Sequence, residues 1–186
     1  MTELKLDYIC PNFGKKNSRG EYDIRTDMKK YILYVDNIPV VNINIEYERF
    51  NSKQPNYSCC YISYDNMYFN KKDSKYNNKG YTTQGVQQII EMLLSSGITP
   101  KISLNILPNN LPSKRIAEKL GFIYMNNDEY SIFHPNAIKM YEEGLEYLKE
   151  DDEEIYELQM KKNLMFIQKY LSSKKENKEE TITMHS

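Results

Sequence analysis

Asn110-Leu111-Pro112-Ser113-Lys114-Arg115-Ile116-Ala117-Glu118-Lys119-Leu120-Gly121-Phe122 follows a strand-like run over residues 102–107 and a turn over 108–112, and it reads as one helix with both ends written into it. Ser113 is a side chain suited to capping the first turn. Ile116, Ala117 and Leu120 recur at helical spacing, and Gly121 supplies the stop. By itself an Asn-x-x-Ser pattern is only a helix cap, and Lys-Leu-Gly-Phe only a helix end.

About thirty residues upstream lies a second marked segment, Asn77-Asn78-Lys79-Gly80-Tyr81-Thr82-Thr83-Gln84-Gly85. It directly precedes a helix in which Val86, Ile89, Ile90, Leu93 and Leu94 form an apolar face, ended by Gly97. The first amides of a helix have no internal partners and, with the helix dipole, favour an anion. Gly80 lets the backbone turn sharply and approach a ligand, and Thr82 and Thr83 add hydroxyl donors.

Outward from these two segments the chain alternates simply. Residues 1–10 form a weakly alternating strand, residues 31–35 a strand rich in aromatic and branched side chains, and residues 39–47 its hairpin partner across Asp36-Asn37. Residues 57–64 read as a further strand, followed by a long polar connection over 65–78 with a short extra strand at Met67-Tyr68-Phe69. After the second helix come two short strands near 122–124 and 130–133. Two helices follow from Ala137 onward, the second started by Asp151-Asp152-Glu153-Glu154, where the dipole favours negative charge. The order predicts an α/β (α+β) protein: a mixed, mostly antiparallel central sheet with flanking helices, plus C-terminal helices. Domain organisation follows as one unit over 1–135, a helical extension over 136–172 packed on it, and a polar tail over 173–186 read as disordered.

Composition narrows the function. The chain has 186 residues with 40 % hydrophobic content, enough for one domain with a real core. A formal net charge of −1 argues against a nucleic-acid partner. No apolar run is long enough for a membrane span, and residues 1–9 lack a signal-peptide core, so a cytoplasmic protein is expected. Three cysteines, two of them adjacent, do not make a disulfide framework. Cys59 and Cys60 are expected to face opposite sides of a strand as reduced thiols. With two histidines a zinc site or a Ser-His-Asp triad is not expected, so no metal is assigned.

Taken together, the two marked segments resemble the GNAT superfamily of N-acetyltransferases, over roughly residues 28–134. That family opens its first helix with Arg/Gln-x-x-Gly-x-Gly/Ala. Here Asn77 stands at the first place, Gly80 matches the glycine, and Thr82 replaces the last small residue. The second signature, Asn-x-x-Ser/Ala with a helix ending Glu-Lys-x-Gly-Phe, is matched by Asn110, Ser113, Glu118, Lys119, Gly121 and Phe122. The resemblance implies acetyl-CoA as donor, its pyrophosphate on the loop formed by Asn78, Lys79, Gly80, Tyr81, Thr82 and Thr83. Its pantetheine arm would lie between the strand near Ile62 and the strand over 103–106, with Asn110 and Ser113 beside the thioester.

The implied reaction is attack of an amine on the thioester. A lysine-like amine with a pKa of about 10.4 must first lose its proton. Donors worth roughly 3 kcal/mol each must hold the oxyanion, and an acid helps the thiolate leave. Many members place a Tyr on the second helix as that acid; this chain has Ala117 there. Ser113 is the nearest substitute, with Tyr124 and Tyr130 as alternatives by nearness in sequence, while Glu46 and Glu48, on or just past a central strand, are the candidate bases. The family's two helices between its first strands have no room here, so the C-terminal helices are candidates to fill that side or to contact a second copy of the chain in a homodimer. The expected function is N-acetyl transfer from acetyl-CoA to a primary amine (a protein N-terminus, a lysine or a small amine). A catalytically inactive CoA-binding or protein-interaction module is the alternative.

Overall fold

In the computed structural model the backbone is described for residues 1–183 and side chains for residues 1–178. Seven strands form one sheet: β1 (Thr2–Ile9), β2 (Asp27–Val35), β3 (Ile38–Arg49), β4 (Tyr57–Asn66), β5 (Lys101–Asn105), β6 (Ile123–Asn126) and β7 (Glu129–Phe133). Their spatial order is β1-β2-β3-β4-β5-β7-β6. All neighbouring pairs are antiparallel except β4 and β5, which the helix α1 (Tyr81–Ser96) connects in parallel. Helix α2 (Leu111–Lys119) follows β5, and α3 (Ala137–Asp151) and α4 (Glu153–Thr183) close the chain. The mixed, mostly antiparallel sheet with flanking helices is the architecture that the pattern predicts.

The turns explain the hairpins. Asp36 and Asn37 both take left-handed conformations (φ 50° and 66°), the twist that a two-residue hairpin needs, and Asn127 and Asp128 repeat this between β6 and β7. Along β3, Val41, Ile43, Ile45 and Tyr47 are buried against α1, and Cys60 and Ile62 continue that face on β4. The helix lies close to the sheet because Gly85 has no side chain: a Cβ there would stand 2.9 Å from Ile43 Cδ1. The opposite face of β5–β7, with Phe133 and Met125, is covered by α3 and α4 through Tyr141, Leu145, Met160 and Ile167. Phe50 packs edge-on against Tyr141 over Gly144, where any side chain would collide with the ring.

Three expectations meet a different outcome. Residues 67–69 form no strand: Asn66 turns the chain by accepting the Tyr68 amide on Oδ1 (2.8 Å) and the Phe69 amide on its carbonyl (3.0 Å). The cap of α2 is Asn110, not Ser113; its Oδ1 accepts the Ser113 amide at 3.2 Å, and Pro112 occupies the first turn, where no N–H is needed. Where a polar tail is expected from residue 173, α4 runs on through Thr183, because Lys and Glu extend an already nucleated helix at little cost. Residues 184–186 of that tail lie outside the described residues. Between β1 and β2 the chain makes a loop without a helix, as its shortness and composition predict, bridged at Lys16 and Tyr22.

That loop is anchored by a buried ion pair. Asp27 Oδ2 accepts hydrogen bonds from Arg49 Nη2 (2.5 Å) and from the Tyr57 hydroxyl (2.6 Å), while Asp27 Oδ1 accepts the Gly14 amide (3.0 Å). Arg49 Nη1 donates to the Asp23 carbonyl (2.8 Å), and its guanidinium lies over Tyr22 and Tyr57. Phe13 of the same loop packs on Tyr47 and Tyr57 (ring centroids 5.2 and 6.4 Å), so apolar contact adds to the charge and the four hydrogen bonds.

Candidate functional site

The parallel pairing of β4 and β5 spans only Cys60 with Ile102 and Tyr61 with Ser103. Beyond those pairs β4 continues to Asn66 and β5 to Asn105 without partnering each other, so the sheet opens into a notch. The unpaired edges offer backbone donors and acceptors to an extended ligand. The notch lies between the strand containing Ile62 and that containing Ser103, as the resemblance implies.

On the α1 side the notch meets two adjoining cavities of about 220 and 520 Å³. Helix α1 starts there without a side-chain cap and without an acidic residue in its first turn. Its first helical bond runs from the Gln84 amide to the Gly80 carbonyl (2.9 Å), leaving the amides of Tyr81, Thr82 and Thr83 outside the helical ladder. Gly80 takes φ 77°, a conformation that glycine adopts without strain. Asn78, Lys79, Gly80, Tyr81, Thr82 and Thr83 line the smaller cavity together. Asn110 and Ser113 line the larger one, with Thr82 common to both. All eight residues assigned to donor binding are therefore brought to one place. Asn77 also lines the smaller cavity, with its Nδ2 donating to the Lys71 carbonyl at 2.8 Å.

The polar connection before α1 is a packed series of turns. Ring contacts run from Tyr68 to Tyr76 (4.8 Å) and from Tyr76 to Tyr81 (6.5 Å). Phe69, 70 % exposed, stands at the rim of both cavities.

The catalytic candidates separate. Ser113 is in the larger cavity. Glu46 is exposed on β3, paired in register with Tyr61, the last β4 residue that β5 holds, so its carboxylate stands on the opposite face beside the apex of the notch. Tyr124 is not brought to either cavity. It sits on the edge strand β6, 49 % exposed, against Tyr130 (5.4 Å) and under Lys169 Nζ (5.8 Å). A short strand two positions from the notch cannot place it there.

The face opposite α1 holds a third cavity, of about 550 Å³, between the sheet and the C-terminal helices. Its floor includes Glu48, Cys59, Lys101 and Glu129, its roof Gln159 and Asn163 of α4. Glu129 Oε1 accepts Lys101 Nζ (2.8 Å) and the Ser103 hydroxyl (2.7 Å). Burial pushes the Glu129 carboxyl up, but the bond and charge from Lys101, with the serines, outweigh it and hold it below the usual range. Burial also raises the Cys59 thiol to about 11, leaving it a neutral thiol beside Ser103. Sequence reading missed this network, since Lys101, Ser103 and Glu129 belong to strands that only the sheet brings together.

Glu129 carries a pH prediction. A carboxyl whose pKa is lowered by folding contributes stability that is complete above the unfolded value of about 4.3 and is lost as pH falls through the folded value. Glu129→Gln is expected to cost roughly 1–3 kcal/mol at pH 7 and to flatten the acid limb of the stability curve. Urea midpoints between pH 3 and 7 check it; parallel curves for the two proteins contradict it.

Comparison with known proteins bears on the same region. A family model described as an acetyltransferase (GNAT) domain matches residues 67–123. No curated protein sequence matches the chain. Among solved structures, an acetyl transferase from Salmonella typhimurium that modifies the N-terminal serine of ribosomal protein L7/L12 is 17 % identical, with a TM-score of 0.43, covering 57 % of this chain and 63 % of that one. A GNAT-family acetyltransferase from Bacillus anthracis is 22 % identical (TM-score 0.44; 57 % and 65 % covered). An aminoglycoside acetyltransferase AAC(6')-Ib with coenzyme A and kanamycin is 18 % identical (TM-score 0.47; 60 % and 69 %). The chain spans less than two thirds of the length of the first two. Among the described residues no cluster of His, Cys, Asp or Glu suits a metal ion, and no helix is long and apolar enough to cross a membrane. The matched residues 67–123 hold both Gly80 and the run from Asn110 to Phe122, and it is over this stretch that the chain is similar to a GNAT acetyltransferase domain.

Proposed function

We propose that the protein transfers an acetyl group from acetyl-CoA to a primary amine by direct attack in a ternary complex. The observation that carries this reading is the β4–β5 notch ending at Tyr61 and Ser103 beside an uncapped, acid-free helix start. The diphosphate of CoA fits the free amides of Tyr81 to Thr83, with Lys79 adjacent. The pantetheine arm extends into the notch, pairing with the loose edges of β4 and β5. The acceptor amine reaches the thioester from the opposite face, past Tyr61, where Glu46 accepts its proton directly or through water. Residues 1–135 would form the transferase unit, with 136–172 roofing the acceptor face.

Calorimetry with CoA and acetyl-CoA tests the donor site, with micromolar binding expected. Release of free thiol from acetyl-CoA in the presence of a panel of primary amines (an amino sugar, lysine, short peptides with free N-termini) tests transfer. Saturable CoA binding without thiol release on any amine would support the inactive binding module instead. No heat with either compound would remove the reading altogether.

A further inference from the structure

Resting on that reading, we propose that the Tyr64 hydroxyl is the hydrogen-bond donor to the CoA sulfur as the thiolate leaves. Tyr64 lies three residues beyond Tyr61, on the part of β4 that β5 no longer holds. It pairs in register with Ile43, whose side chain packs under α1, so the phenol points to the donor side of the sheet. There it lines the larger cavity together with Asn110 and Ser113.

The phenol oxygen is out of contact with solvent and has no partner in good hydrogen-bond geometry, although the Ser113 hydroxyl is close enough to act on it. An unpaired buried hydroxyl is costly, and in a native fold it calls for an explanation. Here it faces a cavity whose ligand would bring an acceptor to it. The other hydroxyls on that cavity, Thr82 and Ser113, stand at the starts of α1 and α2. About two turns into α2 the residue is Ala117, fully buried and without a donor. Burial raises the phenol pKa and outweighs the hydrogen-bonding pull of the Ser113 hydroxyl, so Tyr64 keeps its proton and remains a neutral donor.

The step balances without a further reagent. The amine nitrogen bonds to the carbonyl carbon and surrenders one proton to the base. The C–S bond breaks with its electron pair on sulfur, which the Tyr64 O–H stabilises. CoA leaves as the thiol after taking up one proton from solvent, matching the one that the amine gave.

The test uses the full chain and CoA itself, so no acceptor need be known. The thiol of bound CoA is titrated by the ultraviolet absorbance of its thiolate, as a difference against the protein alone. Tyr64→Phe removes only a hydroxyl that has at most a loose contact with Ser113, so a melting temperature close to that of the wild type is expected. The bound thiol's pKa is expected to rise by about one to two units. With any amine that is turned over, kcat is expected to fall about 10- to 100-fold while KM for acetyl-CoA stays nearly constant. Fluorotyrosine at position 64, a stronger donor, is expected to shift the thiol the other way. Identical thiol pKa values in wild type and Tyr64→Phe, both with CoA bound, overturn this role and leave the transferase reading standing. Failure of the wild type to bind CoA removes both.

Discussion

Replacing Asp27 with alanine is expected to destabilise the protein by about 3–5 kcal/mol, the range for stripping one partner from a buried ion pair. Asp27 and Arg49 are only 2 % and 1 % exposed as side chains, so Arg49 would be left charged in a place water does not reach. The Tyr57 hydroxyl and the Gly14 amide would lose their acceptor in the same step. Since a domain of this kind is stable by only roughly 5–15 kcal/mol, the loss is a large share. The cost arises from an orphaned charge, so adding Arg49→Met to Asp27→Ala is expected to recover part of it, a non-additivity characteristic of contacting residues. Urea denaturation of the two single variants and the double variant measures this. Additive losses would show that the pair does not act as a unit. Because Asp27 and Arg49 also hold residues 14 and 23, early proteolytic cleavage within residues 11–25 is expected in Asp27→Ala.

Thr82→Glu is expected to weaken CoA binding at least about 100-fold while leaving the fold intact. Thr82 belongs to both donor-side cavities and to the first turn of α1, which has no acidic residue. A carboxylate there favours the helix by roughly 0.3–1 kcal/mol through the dipole. It also occupies the positive end that the diphosphate needs and repels it, a juxtaposition that costs several kcal/mol. The two effects have opposite signs, so the same substitution should hold or raise the melting temperature and abolish the calorimetric heat with CoA. Thr82→Gln, of similar size and uncharged, is expected to lose much less, separating charge from bulk. Equal CoA affinity in wild type and Thr82→Glu would place the phosphates elsewhere.

The chain's own residues made much of this legible. The turn pairs Asp36-Asn37 and Asn127-Asp128, the alternation on β3 and the apolar faces of α1 and α2 are local signals, because hydrogen bonding and side-chain period act over a few residues. The two helix starts were legible for the same reason: a helix start is a local structure, and Gly80 and Asn110 each lie at one. Tyr124 was an inference from nearness along the chain, and nearness along the chain says nothing about which strand order puts β6 at the edge, away from the notch. The role of Asn110 as cap in place of Ser113 was within reach, since Pro112 at the second position of the helix already marks its start earlier.

From sequence alone came the sheet-and-helix order, the start of the first helix at Gly80 and the second helix with its two ends, all of them set by interactions between near neighbours. Tertiary structure decided what depends on partners far apart in the chain. Register between β4 and β5 stops at Tyr61, and that stop opens the notch. Asp27 meets Arg49, Lys101 meets Glu129, and the phenol of Tyr64 is left unpaired above the donor cavity. Each of these follows from which strands lie side by side, a choice made by the burial of the whole apolar surface and not by any short stretch of residues.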